Sequence, residues 1–293
     1  RLLNRDADYQ GVYAVDLDND GDTDVLSASA LDSKIAWFEN LGGGSFGPQQ
    51  TITTSASFAR SVFAADLDED GDPDVLSASE IDDKIAWYEN LGGGLFGGQE
   101  VITTSAEGAQ CVYAEDLNGD GRVDVLSASR WDDRILWFEN RGEGSFFTIG
   151  KVINAFSHGA SKVYAKDLDG DGDADVLAAS LGDDKISWYE NLGDETFGPR
   201  RVITNTAWWA FDVFAEDMDG DGFADVLSAS VYDDKIAWYK NLLGSAPCSE
   251  APGMPSLQAV APDKALLSWK AVDSAIVYIL KGRPIASSGK VRR

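Results

Sequence analysis

The 293-residue sequence predicts an all-β protein built from repeated four-stranded sheets, and three observations carry that prediction. An Asp-rich segment recurs at Asp16, Asp66, Asp116, Asp167 and Asp217, with spacings of 50, 50, 51 and 50 residues. Between Gly- and Asp-rich turns lie short runs of Val, Ile, Trp, Tyr and Thr, none long enough for an ordinary helix. In the third run of a unit both alternating sets are apolar, as in Ile85 with Trp87 and Ala86 with Tyr88, so both faces of the sheet are buried. Such sheets, repeating every ~40–50 residues, are the blades of a β-propeller.

The second copy shows the unit most clearly. Val62–Ala65 enters the Asp-rich turn and Val75–Ser79 leaves it. Lys84–Glu89 follows the Asp82-Asp83 turn, read as hairpin capping, and Val101–Thr104 follows a Gly-rich turn. The fifth copy runs through Lys235–Lys240 and then lacks a fourth strand. Arg1-Leu2-Leu3-Asn4 stands in register with Val101–Thr104, so the N-terminal strand is expected to pair with Lys235–Lys240 and close a five-bladed ring. The competing reading is an array cut from a larger ring. The propeller then spans residues 1–244, a linker with Pro247 and Pro252 spans 245–255, and a short β segment occupies 256–293. The spacing of Pro255, Leu257, Val260, Leu267, Trp269 and Tyr278 resembles the first half of a fibronectin type III domain.

A formal net charge of -26 and a pI near 4.2 exclude nucleic acid and anionic membrane surfaces as partners. The acidity is not that of a disordered chain, because 44% of residues are apolar and nine are Trp. No apolar run approaches the ~20 residues of a membrane span. Cys111 and Cys248 could pair or stay apart, and two cysteines do not make a disulfide-built scaffold. The chain opens at Arg1 without a signal-peptide pattern and is expected to be a processed or excised piece.

Much of the charge sits in the loop D-x-D-x-D-G-x-x-D. Its ligand positions are Asp16, Asp18, Asp20 and Asp24; Asp66, Asp68, Asp70 and Asp74; Asp116, Asn118, Asp120 and Asp124; Asp167, Asp169, Asp171 and Asp175; Asp217, Asp219, Asp221 and Asp225. Alternate short carboxylates of a tight loop converge on one point, which suits Ca²⁺ with its 6–8 oxygens at ~2.3–2.6 Å. Position six is Gly in every copy and supplies the sharp turn. Position seven is Asp22, Asp72, Arg122, Asp173 and Phe223. Arg and Phe share no side-chain chemistry with Asp, so the common ligand there is the backbone carbonyl. Five Ca²⁺ sites are expected, the third weakened by Asn118. They are not EF-hands, because position twelve is Ser or Ala and the flanks are strands.

Segments such as VYAKDLDGDGDADVLAAS resemble the FG-GAP/VCBS repeats of integrin α-subunit propellers and of secreted lectin-like and adhesion proteins. The resemblance covers about residues 1–242. It departs after the second strand, where Ser-Ala-Ser stands in place of Gly-Ala-Pro, although Phe46-Gly47 is present. It implies an extracellular propeller stabilised by Ca²⁺.

The repeats disagree on the rim opposite the Asp loops, and a faithful scaffold with variable loops on one face is the form of a binding surface. Candidate ligand contacts there are Tyr9, Phe58, Arg130, Trp131, His158, Trp208, Trp209 and Tyr232. The invariant Trp37, Trp87, Trp137, Trp188 and Trp238 are expected in the core. An enzyme is not expected: His158 is the only histidine, no nucleophile–His–acid set forms around it, and a carboxylate-pair hydrolase is the one catalytic option left open. The reading is an extracellular recognition or adhesion module for a glycan or a protein. The alternative is a building block that docks on copies of itself, since 7 Lys/Arg meet 3 Asp/Glu from Pro247 onward while the propeller is acidic.

Overall fold

The computed structural model describes Leu3, residues 8–243 and the backbone of two strands further on. All described residues are strand, turn or irregular, with no helix, and none of them forms a helix able to cross a membrane. The first blade is β1 (Tyr9–Val15), β2 (Asp24–Ser29), β3 (Lys34–Phe38) and β4 (Gln50–Thr53). The second is β5 (Ala59–Ala65), β6 (Asp74–Ser79), β7 (Lys84–Tyr88) and β8 (Glu100–Thr103). The third is β9 (Ala109–Glu115), β10 (Asp124–Ser129), β11 (Arg134–Phe138) and β12 (Lys151–Asn154). The fourth is β13 (Ala160–Lys166), β14 (Asp175–Ser180), β15 (Lys185–Tyr189) and β16 (Arg201–Thr204). Each is an antiparallel meander in chain order.

The fifth blade has three strands among the described residues, β17 (Ala210–Glu216), β18 (Asp225–Ser230) and β19 (Lys235–Tyr239). The expected pairing of Arg1–Asn4 with β19 lies outside the described residues, as does the linker at 245–255. Beyond it, β20 (Leu257–Ala261) and β21 (Lys264–Leu267) form a two-stranded sheet, and the Trp269 and Tyr278 of the fibronectin-like comparison also lie outside the described residues. Inner strands begin three residues earlier than the sequence pattern suggests. A bulge between Ala59 and Ser61, repeated in the other blades, breaks the alternation there and hides the strand from a period-two reading.

The core lies between blades. Leu26, Ala28, Ile35 and Trp37 of the first blade pack on Val62, Ala64, Val75 and Tyr88 of the second, and the same sets meet at the next three interfaces. Trp37 and Trp87 reach over the Gly-rich turn of the following blade. A Cβ on Gly94 would lie 2.3 Å from the Trp37 ring, and Gly144 stands likewise under Trp87, so those turns have to be bare. Around the axis Tyr13, Phe63, Tyr113, Tyr164 and Phe214 form a belt with centroids 4.5–4.9 Å apart. Cys111 is a free, buried thiol beside that axis.

The pattern stops at the two ends. Ile236 is 81% exposed and Trp238 49%, where Ile135 and Trp137 are buried. The expectation that all five tryptophans are core therefore holds for four of them. Among the described residues no blade covers the face of Trp238.

Candidate metal centres and the opposite rim

Each Asp loop joins the inner strand of a blade to the second. Position six takes a left-handed conformation, φ between +88° and +98° at Gly21, Gly71, Gly121, Gly172 and Gly222, which L side chains rarely adopt. The turn directs backbone N–H groups at the first carboxylate: Gly21 N donates to Asp16 Oδ2 at 2.9 Å, Gly121 N to Asp116 Oδ2 at 2.9 Å and Gly222 N to Asp217 Oδ2 at 2.9 Å. Position nine is fixed from two directions. Asp74 accepts Leu67 N on one oxygen and Asn90 N on the other, at 2.9 and 2.7 Å, and the same pair of bonds holds Asp24, Asp124, Asp175 and Asp225.

The loops bring together what the sequence placed there. Carboxylate oxygens of Asp16, Asp18 and Asp24 lie within 4.8 Å of one another, as do those of Asp66, Asp68 and Asp70, of Asp167, Asp169 and Asp175, and of Asp217, Asp219 and Asp225. The remaining ligand positions, Asp20, Asp74, Asp171 and Asp221, border these groups in the same loops. The third loop, Asp116, Asn118, Asp120 and Asp124, forms no such carboxylate group because Asn118 interrupts it.

The chemistry of this donor set fits a cation. Burial pushes the Asp74 and Asp175 carboxyls up to about 7 and that of Asp124 to about 6, against the cost-lowering backbone hydrogen bonds they accept. Asp66 Oδ1 is buried without a hydrogen-bond partner and sits within the second group. A multivalent cation would supply what these oxygens lack.

Position-seven side chains turn away from the carboxylates of their own loop, with one exception. Asp72 accepts a hydrogen bond from Asn19 of the preceding loop, and Phe223 packs on Gly170 of the loop before it. Asp22 and Asp173 face the Gly-rich turns at Gly42 and Gly193. Arg122 is the exception: its guanidinium pairs with Glu69 of the second loop at 3.1 Å and with Asp120 of its own at 3.0 Å. Sequence reasoning also missed Lys240. The residue before the conserved Asn is Glu39, Glu89, Glu139 and Glu190 in the first four repeats and Lys240 in the fifth. Its ammonium bonds Asp219 and lies 3.3 Å from Asp221.

A second missed device ties the loops to their neighbours. Asn90 Nδ2 donates at 2.8 Å to the carbonyl of Leu17, position two of the first blade's loop. Asn140, Asn191 and Asn241 do the same to Leu67, Leu117 and Leu168. Each Asn thus holds position nine of its own loop and position two of the preceding one. Its signal in the sequence was the invariant Asn after the third strand.

On the opposite rim the turn between second and third strands bonds the connection leading into the same blade, Val231 N to Trp209 O at 3.2 Å and Tyr232 N to Trp208 O at 3.1 Å. Trp209 meets Tyr232 edge to face at 4.2 Å, and the Arg130 guanidinium of the third blade lies 5.9 Å from the Trp209 ring. Trp208 and Tyr232 are more than half exposed. Trp209 has φ +60°, at a position where the third and fourth blades use Gly108 and Gly159. That backbone costs a bulky residue about 1–2 kcal/mol. The remaining candidates stand apart: Trp131 lies against Gly108, Phe58 under Arg60, His158 on Asp133 at 2.7 Å, and Tyr9 accepts from Gln49. The Asp-Asp-Lys turns do more than cap a hairpin, since Asp83, Asp133 and Asp184 accept N–H bonds from Gly108, Gly159 and Trp209 of the next blade.

Five repeated sheets, inter-blade cores and one Asp loop per blade define a β-propeller of the FG-GAP type. The family model described as FG-GAP-like repeat matches residues 16–77, 66–127, 116–178 and 167–228, and the chain belongs to that family. Among curated proteins nothing matches. Among solved structures the chain is similar to an Agrocybe aegerita lectin described as recognising non-reducing terminal N-acetylglucosamine, with 21% identity and a TM-score of 0.56 over 76% of this chain. It spans 61% of the lectin's length. It is also similar to a chain of a nidogen/laminin complex, with 12% identity and a TM-score of 0.56, covering 81% of this chain and 77% of that one. A functionally unknown protein from Desulfotomaculum acetoxidans matches with 14% identity and a TM-score of 0.52, covering 82% and 73%. At these identities the likeness is one of fold.

Proposed function

We propose that the protein is an extracellular, calcium-stabilised recognition module that binds a glycan on the rim opposite the metal loops. One observation carries the reading: Trp209, Tyr232 and Arg130, from two blades, converge on that rim, and Trp209 is held there in a backbone conformation that two sister blades reserve for glycine. Aromatic faces stack on the apolar side of a sugar ring, and a guanidinium donates to its oxygens. A protein ligand is the other partner this surface suits. A glycan array probed in calcium and again in chelator tests the proposal, with Trp209→Ala alongside. The expected result is a restricted set of glycans, lost at least tenfold in the variant while its melting temperature holds. An array silent for the calcium-loaded protein would overturn the glycan reading.

Calcium suits the loops because they offer oxygen alone, and the position-seven carbonyl completes the set. The five loops are not equal. Arg122 and Lys240 bring a positive charge to the third and fifth, where it competes with the ion. Calorimetric titration is therefore expected to resolve three tighter sites, in loops one, two and four, and two that are weaker by about tenfold. Lys240→Glu, which restores the acid of the other four repeats, moves the fifth loop into the tighter class. Five indistinguishable sites in the unsubstituted protein would refute this ranking.

A further inference from the structure

We infer that the wedge between the fifth and first blades receives one further blade of the same repeat type. The two faces that border it are the halves of an interface that the protein already builds four times. On the fifth blade Ile236 is 81% and Trp238 49% exposed, whereas Ile135 and Trp137 are 0% and 1% exposed under the blade that follows them. On the first blade Val12 is 71% exposed, and its equivalent Val62 is 6% exposed against the blade that precedes it.

The fine structure of each face repeats the same story. Gly44 has no atom within 4 Å of where a Cβ would stand, while Gly94 and Gly144 each lie under the Trp of the preceding blade. The first blade has the same bare turn with no indole on it among the described residues. Asn40 Nδ2 donates to Thr23 O of its own blade, and the described residues hold no position-two carbonyl for it of the kind that Asn90, Asn140, Asn191 and Asn241 take. At the other end Met218 is 53% exposed, where Leu17, Leu67, Leu117 and Leu168 are buried beneath the next blade. One face offers an indole, an apolar sheet and a carbonyl; the other offers a bare turn, an apolar sheet and an amide.

The occupant follows from the need to satisfy both. A second copy seated on Trp238 covers one face and leaves the other open. The fifth blade docking directly on the first would also satisfy both, but among the described residues the two faces stand uncovered. A single inserted blade of this repeat presents Val and Ala to Trp238, and Leu, Ile and Trp with a position-two carbonyl to the first blade.

Trp238→Ala and Trp137→Ala in the full chain, with sedimentation velocity, test the starting state. Trp137→Ala is expected to lower the melting temperature by roughly 8–15 °C, Trp238→Ala by no more than about 2 °C, and the protein to sediment as a monomer. A second variant inserts another copy of residues 141–191 after Asn241, which supplies the missing outer strand and one blade. The inserted chain is expected to remain monomeric, to melt higher, and to lose as much on Trp238→Ala as on Trp137→Ala. Three results would overturn the inference. A monomer already destabilised by Trp238→Ala without the insertion means that the first blade or the C-terminal segment covers this face, and repeating the pair in a chain ending at Leu243 tells which. Oligomers dissolved by Trp238→Ala mean that a second copy does. An inserted blade that leaves the cost of Trp238→Ala unchanged means that the faces do not accept it.

Discussion

Chelation of calcium is expected to lower the melting temperature by about 8–16 °C, and roughly 0.1 M added sodium chloride is not expected to restore it. At a free calcium tenfold above the dissociation constant each site contributes about 1.4 kcal/mol by mass action. The three loops without an internal cation then supply about 4 kcal/mol, and a chain of this size shifts by about 2–4 °C per kcal/mol. Sodium chloride screens exposed charge over about 10 Å but supplies no ligand to an oxygen such as Asp66 Oδ1, buried inside the loop. Differential scanning calorimetry in calcium, in chelator, and in chelator with salt checks this. Unchanged melting in chelator would reduce the loops to acidic turns.

The second large effect separates two residues that the sequence writes identically. Asn140→Ala removes donations to Leu67 O at 2.8 Å, which is buried, and to Val123 O at 3.0 Å, and an acceptor for Gly142 N at 2.9 Å, both partly buried. With about 1 kcal/mol per bond, and a carbonyl of the preceding loop left unsatisfied, the cost is about 3–4 kcal/mol. Asn40→Ala removes only the bonds to Thr23 O and Gly42 N, at a more exposed place, and is expected to cost about 1 kcal/mol. Asn140→Ala should also weaken calcium binding at the second loop, because Leu67 at position two is where it is clamped. Paired melting curves and titrations of the two variants decide. Equal costs would mean that the cross-blade bond contributes nothing.

What could be read from the sequence was whatever repeats. Five Asp loops at fixed spacing carried the number of repeated sheets, the clustering of carboxylates in four of the loops and the strand–turn rhythm, because each copy is an independent test of the same pattern. At position seven Arg122 and Phe223 share no side-chain chemistry with Asp, and the structure turns Asp72 and Phe223 toward neighbouring loops. What escaped was pairwise and specific to one copy. Lys240 looks like an ordinary surface lysine until the fold puts its ammonium among Asp219 and Asp221. Arg130 and Trp209 are seventy-nine residues apart, and only the ring brings blades three and five together at the rim. The early start of the inner strands was hidden by the bulge at Ala59, which puts consecutive buried residues where alternation was sought.

The asparagine bonds between blades have a direction: every donor lies one blade downstream of the carbonyl it holds. The array therefore has a grain, like a row of shingles each pinned by the next. The first four loops are pinned, and among the described residues the loop at Met218 is the loose edge, in the blade whose Asp cluster Lys240 already partly neutralises. In a nearest-neighbour array such an edge is where fraying starts. Amide exchange should accordingly run from fast at β17–β19 to slow in the middle blades, and depleting calcium should unzip the protein from that side rather than melt it at once.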